Sequence, residues 1–160
     1  MCGFIGVIGA KGAVREIYDG LVAIQHRGQD AAGIITYDGD RFHLKKGEGL
    51  VRDIFTTANV FRLKGDLALG HVRYPTVGSG GGEDAQPFTV NFPFGIAMAH
   101  NGNVANYDEL KGSLENTSLR VLYSGCDVEV ILNVFAGALA KASNGTFSLD
   151  AYHAAVREVY

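Results

Sequence analysis

The sequence predicts a layered fold that mixes strands with helices, of the α/β or α+β kind, with the helices outside. Two observations predict it. Short apolar stretches bounded by glycine and turn residues interleave with runs whose apolar residues recur at helical spacing. A chain of 160 residues that is 47% hydrophobic and 19% charged has room for one domain with a substantial core.

Taken in order, Phe4 to Ile8 reads as a strand buried on both faces, and Gly9 to Gly12 turns the chain. From Ala13 the positions Val14, Ile17, Tyr18, Leu21 and Ile24 share one helical face. His26-Arg27-Gly28 closes that helix with cations in its last turn and a glycine stop. Ala31 to Tyr37 and Arg41 to Lys46 are expected to pair as a hairpin around Asp38-Gly39. Leu50 to Phe55 is a short helix, and Leu67 to Tyr74 is a strand that Pro75 ends.

The run Gly78-Ser79-Gly80-Gly81-Gly82 is not a phosphate loop, because no Gly-Lys-Ser/Thr follows it. It is either a loop that covers a small ligand or a plain connection. Phe94 to His100 is expected as another buried strand, leading into the turn Asn101-Gly102-Asn103. Asn106, with Glu109 three positions on, predicts a capped helix to about Glu115. Val128, Ile131, Leu132, Phe135 and Leu139 predict a helix that opens near Asp127 and stops around Ser143-Asn144-Gly145. Ser148 caps a last helix through Tyr152, Val156 and Val159, which reaches Tyr160 without a stop signal, so the domain is expected to be incomplete.

A net charge of −3 and a pI of about 5.9 leave no basic footprint for nucleic acid or an anionic membrane. The N-terminus lacks the pattern of a signal peptide, and no apolar run is long enough to span a bilayer. Cys2 and Cys126 are too few for a disulfide framework, which suits a reducing compartment. The expected location is the cytoplasm.

Chemistry concentrates at Cys2. Removal of Met1 would leave this residue with both a thiol and a free α-amino group, and such an amine, titrating near ~8, can take the thiol proton itself. The alternative is a small apolar side chain opening a strand. Arg73, at a strand end, offers a planar fork for a carboxylate, or a surface ion pair. Asn101 and the Gly102 N–H can converge on an oxyanion, or form an ordinary hairpin turn. Asp127 stands where a helix N-cap belongs and can also face an ammonium. Arg27 either raises the positive potential near Cys2 or complements a helix C-terminus. A carboxylate grip, an ammonium acceptor, a thiol with its own base and an oxyanion hole describe attack on the side-chain carbonyl of an amino acid such as glutamine.

Met1-Cys2-Gly3-Phe4-Ile5-Gly6, His26-Arg27-Gly28-Gln29-Asp30-Ala31-Ala32-Gly33, Gly70-His71-Val72-Arg73-Tyr74-Pro75-Thr76, Ala99-His100-Asn101-Gly102-Asn103 and Ser124-Gly125-Cys126-Asp127-Val128-Glu129 together resemble the successive signatures of class II glutamine amidotransferases. These are N-terminal-nucleophile hydrolases. Within the class, the wording is most similar to the glutaminase domain of the amidophosphoribosyltransferase branch. The resemblance implies an α+β fold, a four-layer αββα sandwich, of which residues 1–160 form part.

It also implies roles. Cys2 is the nucleophile, Asn101 and the Gly102 N–H hold the oxyanion, Arg73 takes the substrate α-carboxylate and Asp127 its α-ammonium. Tyr74 and Thr76 shape the pocket, with Arg27 and His71 in support. Glutamine is the implied substrate, hydrolysed to glutamate and ammonia through a thioester. In complete members the ammonia goes to a phosphoribosyltransferase domain that uses phosphoribosyl pyrophosphate and Mg2+, and the assembly is a homo-oligomer. No cofactor is implied for residues 1–160, and two cysteines do not supply the four ligands of an iron–sulfur cluster. Around Asp127 the family more often reads Ser-Asp-Thr/Ser-Glu, so Asp127 and Glu129 compete for the ammonium role.

Overall fold

The computed structural model describes residues 1–9, 11–74 and 81–159. The chain divides into two compact units, one formed by Met1–Pro87 with Ala99–Asn101, the other by Phe88–Met98 with Gly102–Tyr160.

The first unit is a four-stranded antiparallel sheet in the order β1 (Gly3–Ile8), β4 (Leu67–Arg73), β2 (Ala31–Tyr37), β3 (Phe42–Glu48). Helix α1 (Ala13–Ala23) lies on one face. Of its expected apolar stripe, Ile17 and Leu21 are fully buried, joined by Ala13, against Ala32, Ile34 and Val72, while Val14, Tyr18 and Ile24 pack partly buried at the margin and Val51, Ile54, Phe55 and Leu63 close the layer. A Cβ at Gly70 would collide with Ile17 and Leu21, so this glycine lets α1 settle on β4. The hairpin between β2 and β3 turns where Asp38-Gly39 predicts it. Asp38 Oδ1 accepts from the Asp40 and Arg41 N–H groups while Oδ2 meets His43 Nε2 at 2.6 Å.

Some expectations are corrected. The first strand is an edge strand with one covered face, not two: Phe4 and Ile8 are 53% and 86% exposed because α1 packs only against the opposite side. The first helix ends at Ala23, and Gln25–Arg27 continues as a separate 3-10 turn. The short helix expected over Leu50 to Phe55 is α2 (Val51–Ile54); a further helix that was not expected, α3 (Thr57–Val60), follows it and is capped by the Thr56 hydroxyl, which accepts from the Asn59 N–H. Residues 78–80 of the glycine run, and Pro75, lie outside the described residues; Gly82–Asp84 forms a 3-10 turn.

In the second unit, β5 (Phe88–Val90) pairs with β6 (Ile96–Met98). The strand expected over Phe94 to His100 is thus three residues long and half-buried, because only those residues find a ladder partner. Helix α4 spans Tyr107–Asn116 with Asn106 in the N-cap position, yet the Asn106 side chain makes no capping bond, so the expected capping box does not form. Helix α5 (Asp127–Ser143) ends, as predicted, at Asn144 and Gly145, both in the left-handed region. Its start differs by one residue: Cys126 occupies the N-cap position and Asp127 is the first helical residue. Helix α6 (Leu149–Val159) is capped by Ser148 Oγ, which accepts from the Ala151 N–H at 3.1 Å. Leu132 and Val128 of α5 pack with Phe88 and Cys126, while Phe135, Ala138 and Leu139 pack with Ala151 and Ala155 of α6.

Candidate functional site

Cys2 sits at the free end of β1, half-buried, against the end of β4. Its sulfur lies 3.4 Å from both the Tyr74 N–H, which donates to it, and the Tyr74 carbonyl, which accepts from it. Its main-chain carbonyl is held by two side chains: Arg27 Nε donates at 3.0 Å and Asn101 Nδ2 at 3.0 Å. Three segments far apart in sequence therefore meet around one residue. Met1 is 79% exposed, open to the removal that would free the Cys2 amine.

Close approach of the main chain makes this meeting possible. A Cβ on Gly28 would run into the backbone of Val72 and Arg73. Glycine there lets the segment carrying Arg27 lie directly on β4, with the Asp30 N–H donating to the Arg73 carbonyl at 3.2 Å.

His71 and Arg73 project from β4 on the side away from α1. The segment Asp84-Ala85-Gln86 crosses this side, where a Cβ at Gly33 would meet the Gln86 main chain. Arg73 is 3% exposed and its Nη2 lies 3.3 Å from Oδ2 of Asp84, which is fully buried. Gln86 Oε1 accepts from the His100 N–H at 2.7 Å and so fixes the approach to Asn101. Lys46 Nζ donates to the Ala85 carbonyl at 2.5 Å.

His71 is buried, and neither ring nitrogen completes a hydrogen bond of ordinary geometry among the described residues. Burial pushes its imidazole down to about 4; the His100 main chain opposes this, and the charges of Arg73 and His100 add to it. The ring is neutral at physiological pH and lines the Arg73 side of the sheet without adding charge.

In the second unit, Asp127 opens α5 and its Oδ2 accepts from the Val104 N–H at 3.1 Å. Gly102 is exposed in a bend. Tyr74 is 54% exposed beside the Cys2 sulfur, and Thr76 lies outside the described residues. Among the predicted residues, Cys2, Arg27, Tyr74 and Asn101 thus share direct contacts, and Arg73 adjoins Tyr74 with its guanidinium turned to Asp84. Asp84 and Gln86 were not foreseen, since no periodicity or motif links an acid eleven positions beyond Arg73 to that guanidinium. Among the described residues, no group of three or more His, Cys, Asp or Glu side chains could hold a metal ion.

Residues 57–160 match the family described as "Glutamine amidotransferase domain". The chain belongs to the glutamine amidotransferase domain family. This glutamine amidotransferase chain is 49% identical over 140 residues to an amidophosphoribosyltransferase of Pseudomonas aeruginosa, covering 88% of this chain and 28% of that protein. It is 45% identical over 157 residues to the amidophosphoribosyltransferase of Escherichia coli, covering 98% and 31%. It therefore spans about three-tenths of the length of these relatives. Among solved structures it matches the glutamine phosphoribosylpyrophosphate amidotransferase from B. subtilis complexed with ADP and GMP, with a TM-score of 0.79 and 35% identity over 98% of this chain and 32% of that one. It also matches a structure described as the allosteric regulatory enzyme of purine biosynthesis, with a TM-score of 0.81 and 36% identity over 98% and 33%. The mixed α and antiparallel β fold of this chain is that of the matched part of these enzymes.

Proposed function

We propose that this chain is the glutaminase part of an enzyme that hydrolyses the glutamine side-chain amide and, in the whole protein, hands the ammonia to phosphoribosyl pyrophosphate to form 5-phosphoribosylamine. The observation that carries the reading is the position of Cys2: its sulfur against the Tyr74 main chain, its carbonyl clamped by Arg27 and Asn101.

The chemistry follows from these groups. With Met1 removed, the Cys2 amine takes the thiol proton and the thiolate attacks the carboxamide carbon. Negative charge gathers on the former carbonyl oxygen, where the second N–H of the Asn101 amide and the Gly102 N–H act as donors. Collapse of this intermediate breaks the C–N bond, and the proton held by the amine leaves with ammonia. Water, deprotonated by the same amine, then attacks the thioester and releases glutamate and the thiol. Arg73 captures the α-carboxylate and Asp127 the α-ammonium, while Tyr74 and Thr76 shape the pocket.

The roles of Arg73 and Asp127, the acceptor, a cytoplasmic location and an oligomeric whole enzyme are parts of the proposal. Similarity to amidophosphoribosyltransferases supports the acceptor.

The test is covalent labelling of the full-length protein by a glutamine analogue with an electrophilic side chain, read by mass spectrometry together with the mature N-terminus. Labelling of Cys2 on a chain lacking Met1, lost in Cys2→Ala, is expected. A retained Met1 with no labelling would make the chain a glutamine-binding module instead. Production of phosphoribosylamine from glutamine by the full-length protein tests the acceptor, and transfer to a sugar phosphate in its place would overturn it.

A further inference from the structure

We infer that Glu129 is a positioning residue for glutamine capture, holding the chain that enters α5 so that the Asp127 carboxylate meets the substrate α-ammonium. The inference rests on the reading of Asp127 given above.

Glu129 is 7% exposed and both of its oxygens are engaged by the segment just before α5. Oε1 accepts from the Tyr123 N–H at 3.0 Å; Oε2 accepts from the Ser124 N–H at 2.8 Å and from the Ser124 hydroxyl at 2.6 Å. The same hydroxyl oxygen accepts from the Cys126 N–H at 3.2 Å. A continuous run of hydrogen bonds thus leads from the Glu129 carboxylate to the residue directly before Asp127. A second tie reinforces it: Arg120 Nη1 donates to Asn133 Oδ1 at 2.9 Å, and Asn133 Nδ2 donates to the Glu129 carbonyl at 2.8 Å.

Apolar burial fixes this segment at Cys126, which packs with Phe88, Val128 and Leu132, and less before it. Leu119, Val121 and Tyr123 are 83%, 69% and 82% exposed, and Leu119 has a positive φ of 53°. Residues 118–126 form no helix or strand. With little apolar burial before Cys126, the polar ties to Glu129 and Asn133, together with the Arg120 N–H donating to the Leu114 carbonyl at 3.0 Å, hold its path, and a buried carboxylate accepting several charge-assisted bonds is a stiff anchor. Exposure separates the two acids. Glu129 is shut from solvent with both oxygens bonded to Tyr123 and Ser124, whereas Asp127, the first residue of α5, is only half-buried, with Oδ2 accepting from the Val104 N–H and Oδ1 4.0 Å from the Cys126 sulfur, so Asp127 is the acid that an ammonium can reach. Replacing Glu129 by Gln keeps the volume and turns one acceptor into a donor facing N–H groups.

The experiment is steady-state glutaminase kinetics on the full-length protein for Asp127→Asn, Glu129→Gln and the double variant, with Ser124→Ala and Ser124→Thr alongside. Glu129→Gln is expected to raise KM for glutamine about tenfold, the scale of one hydrogen bond to a charged group, with kcat little changed. In the Asp127→Asn background it is expected to add nothing to the loss of kcat/KM, because its effect runs through Asp127. Ser124→Ala should reproduce the KM effect and Ser124→Thr should restore it, which keeps the test alive if Glu129→Gln fails to fold. A KM left unchanged by Asp127→Asn overturns the ammonium role of Asp127 itself. A large effect of Asp127→Asn combined with additive losses from Glu129→Gln or Ser124→Ala, or with none, overturns the positioning role alone.

Discussion

The guanidinium of Arg73 and the carboxylate of Asp84 meet at 3.3 Å with both residues withdrawn from solvent, 3% and 0% exposed. Such a pair adds little net stability when made, but removing one member takes from the other its close counter-charge in a poorly solvated place. It also gives the end of β4 and the segment before Pro87 a common anchor beneath Tyr74, whose main chain holds the Cys2 sulfur.

Replacing Asp84 by Asn should therefore destabilise the protein by about 3 to 5 kcal/mol, the usual cost of removing one partner from a buried ion pair. Chemical denaturation monitored by circular dichroism checks this. A midpoint equal to the wild type would mean that the Arg73 charge is neutralised by something other than Asp84.

Arg73→Lys keeps the charge and loses the planar fork. Glutamine capture should weaken, with KM raised about tenfold or more and kcat less affected, since bidentate recognition of a carboxylate needs two parallel N–H donors. Initial-rate glutaminase assays decide, and a KM within twofold of the wild type would remove Arg73 from the carboxylate role.

Asn101→Ala removes a donor proposed for the oxyanion and the bond to the Cys2 carbonyl together. The turnover number should fall roughly 10²- to 10³-fold, the scale of one lost oxyanion donor. KM should move much less. A variant with normal kcat would show that the amide serves only to hold the N-terminal strand.

The buried imidazole of His71 predicts an acid-sensitive fold. Its pKa lies at about 4 in the folded protein, against 6.5 when unperturbed, so below 6.5 the unfolded chain binds a proton that the folded chain refuses. The resulting stability is complete above pH 6.5 and is lost as the pH falls from there towards 4, by about 3 kcal/mol. Thermal melts between pH 4 and 7 should show Tm falling on acidification, with a shallower slope in His71→Gln. An equal slope in that variant would mean that other groups carry the linkage.

Much of this was legible in the residues themselves. The apolar spacing of Ile17 and Leu21, and of Val128, Leu132, Phe135 and Leu139, marks helices that bury those faces, because a 3.6-residue period is a local property. Asp38-Gly39 and Ser143-Asn144-Gly145 mark a hairpin and a helix stop through backbone conformations that few residues adopt. Strand lengths and strand faces were harder to read. The segment from Phe94 is apolar throughout, yet it is ordered as a strand only over Ile96–Met98, where β5 supplies a ladder. Phe4 and Ile8 look like core residues and lie on the open face of an edge strand, since which face is covered depends on elements elsewhere in the chain.

By itself the sequence determined that a cysteine stands directly behind Met1, where the main amphipathic helices and the hairpin around Asp38-Gly39 form, and which ordered motifs follow, all matters of neighbouring residues and their intrinsic preferences. Only the tertiary structure decided that the Cys2 sulfur meets the Tyr74 main chain, that the Asn101 amide reaches the Cys2 carbonyl and that Arg73 faces Asp84. Those contacts join residues separated by 72, 99 and 11 positions, and their energy becomes available only once the sheet register and the close approach at Gly28 have brought the segments together.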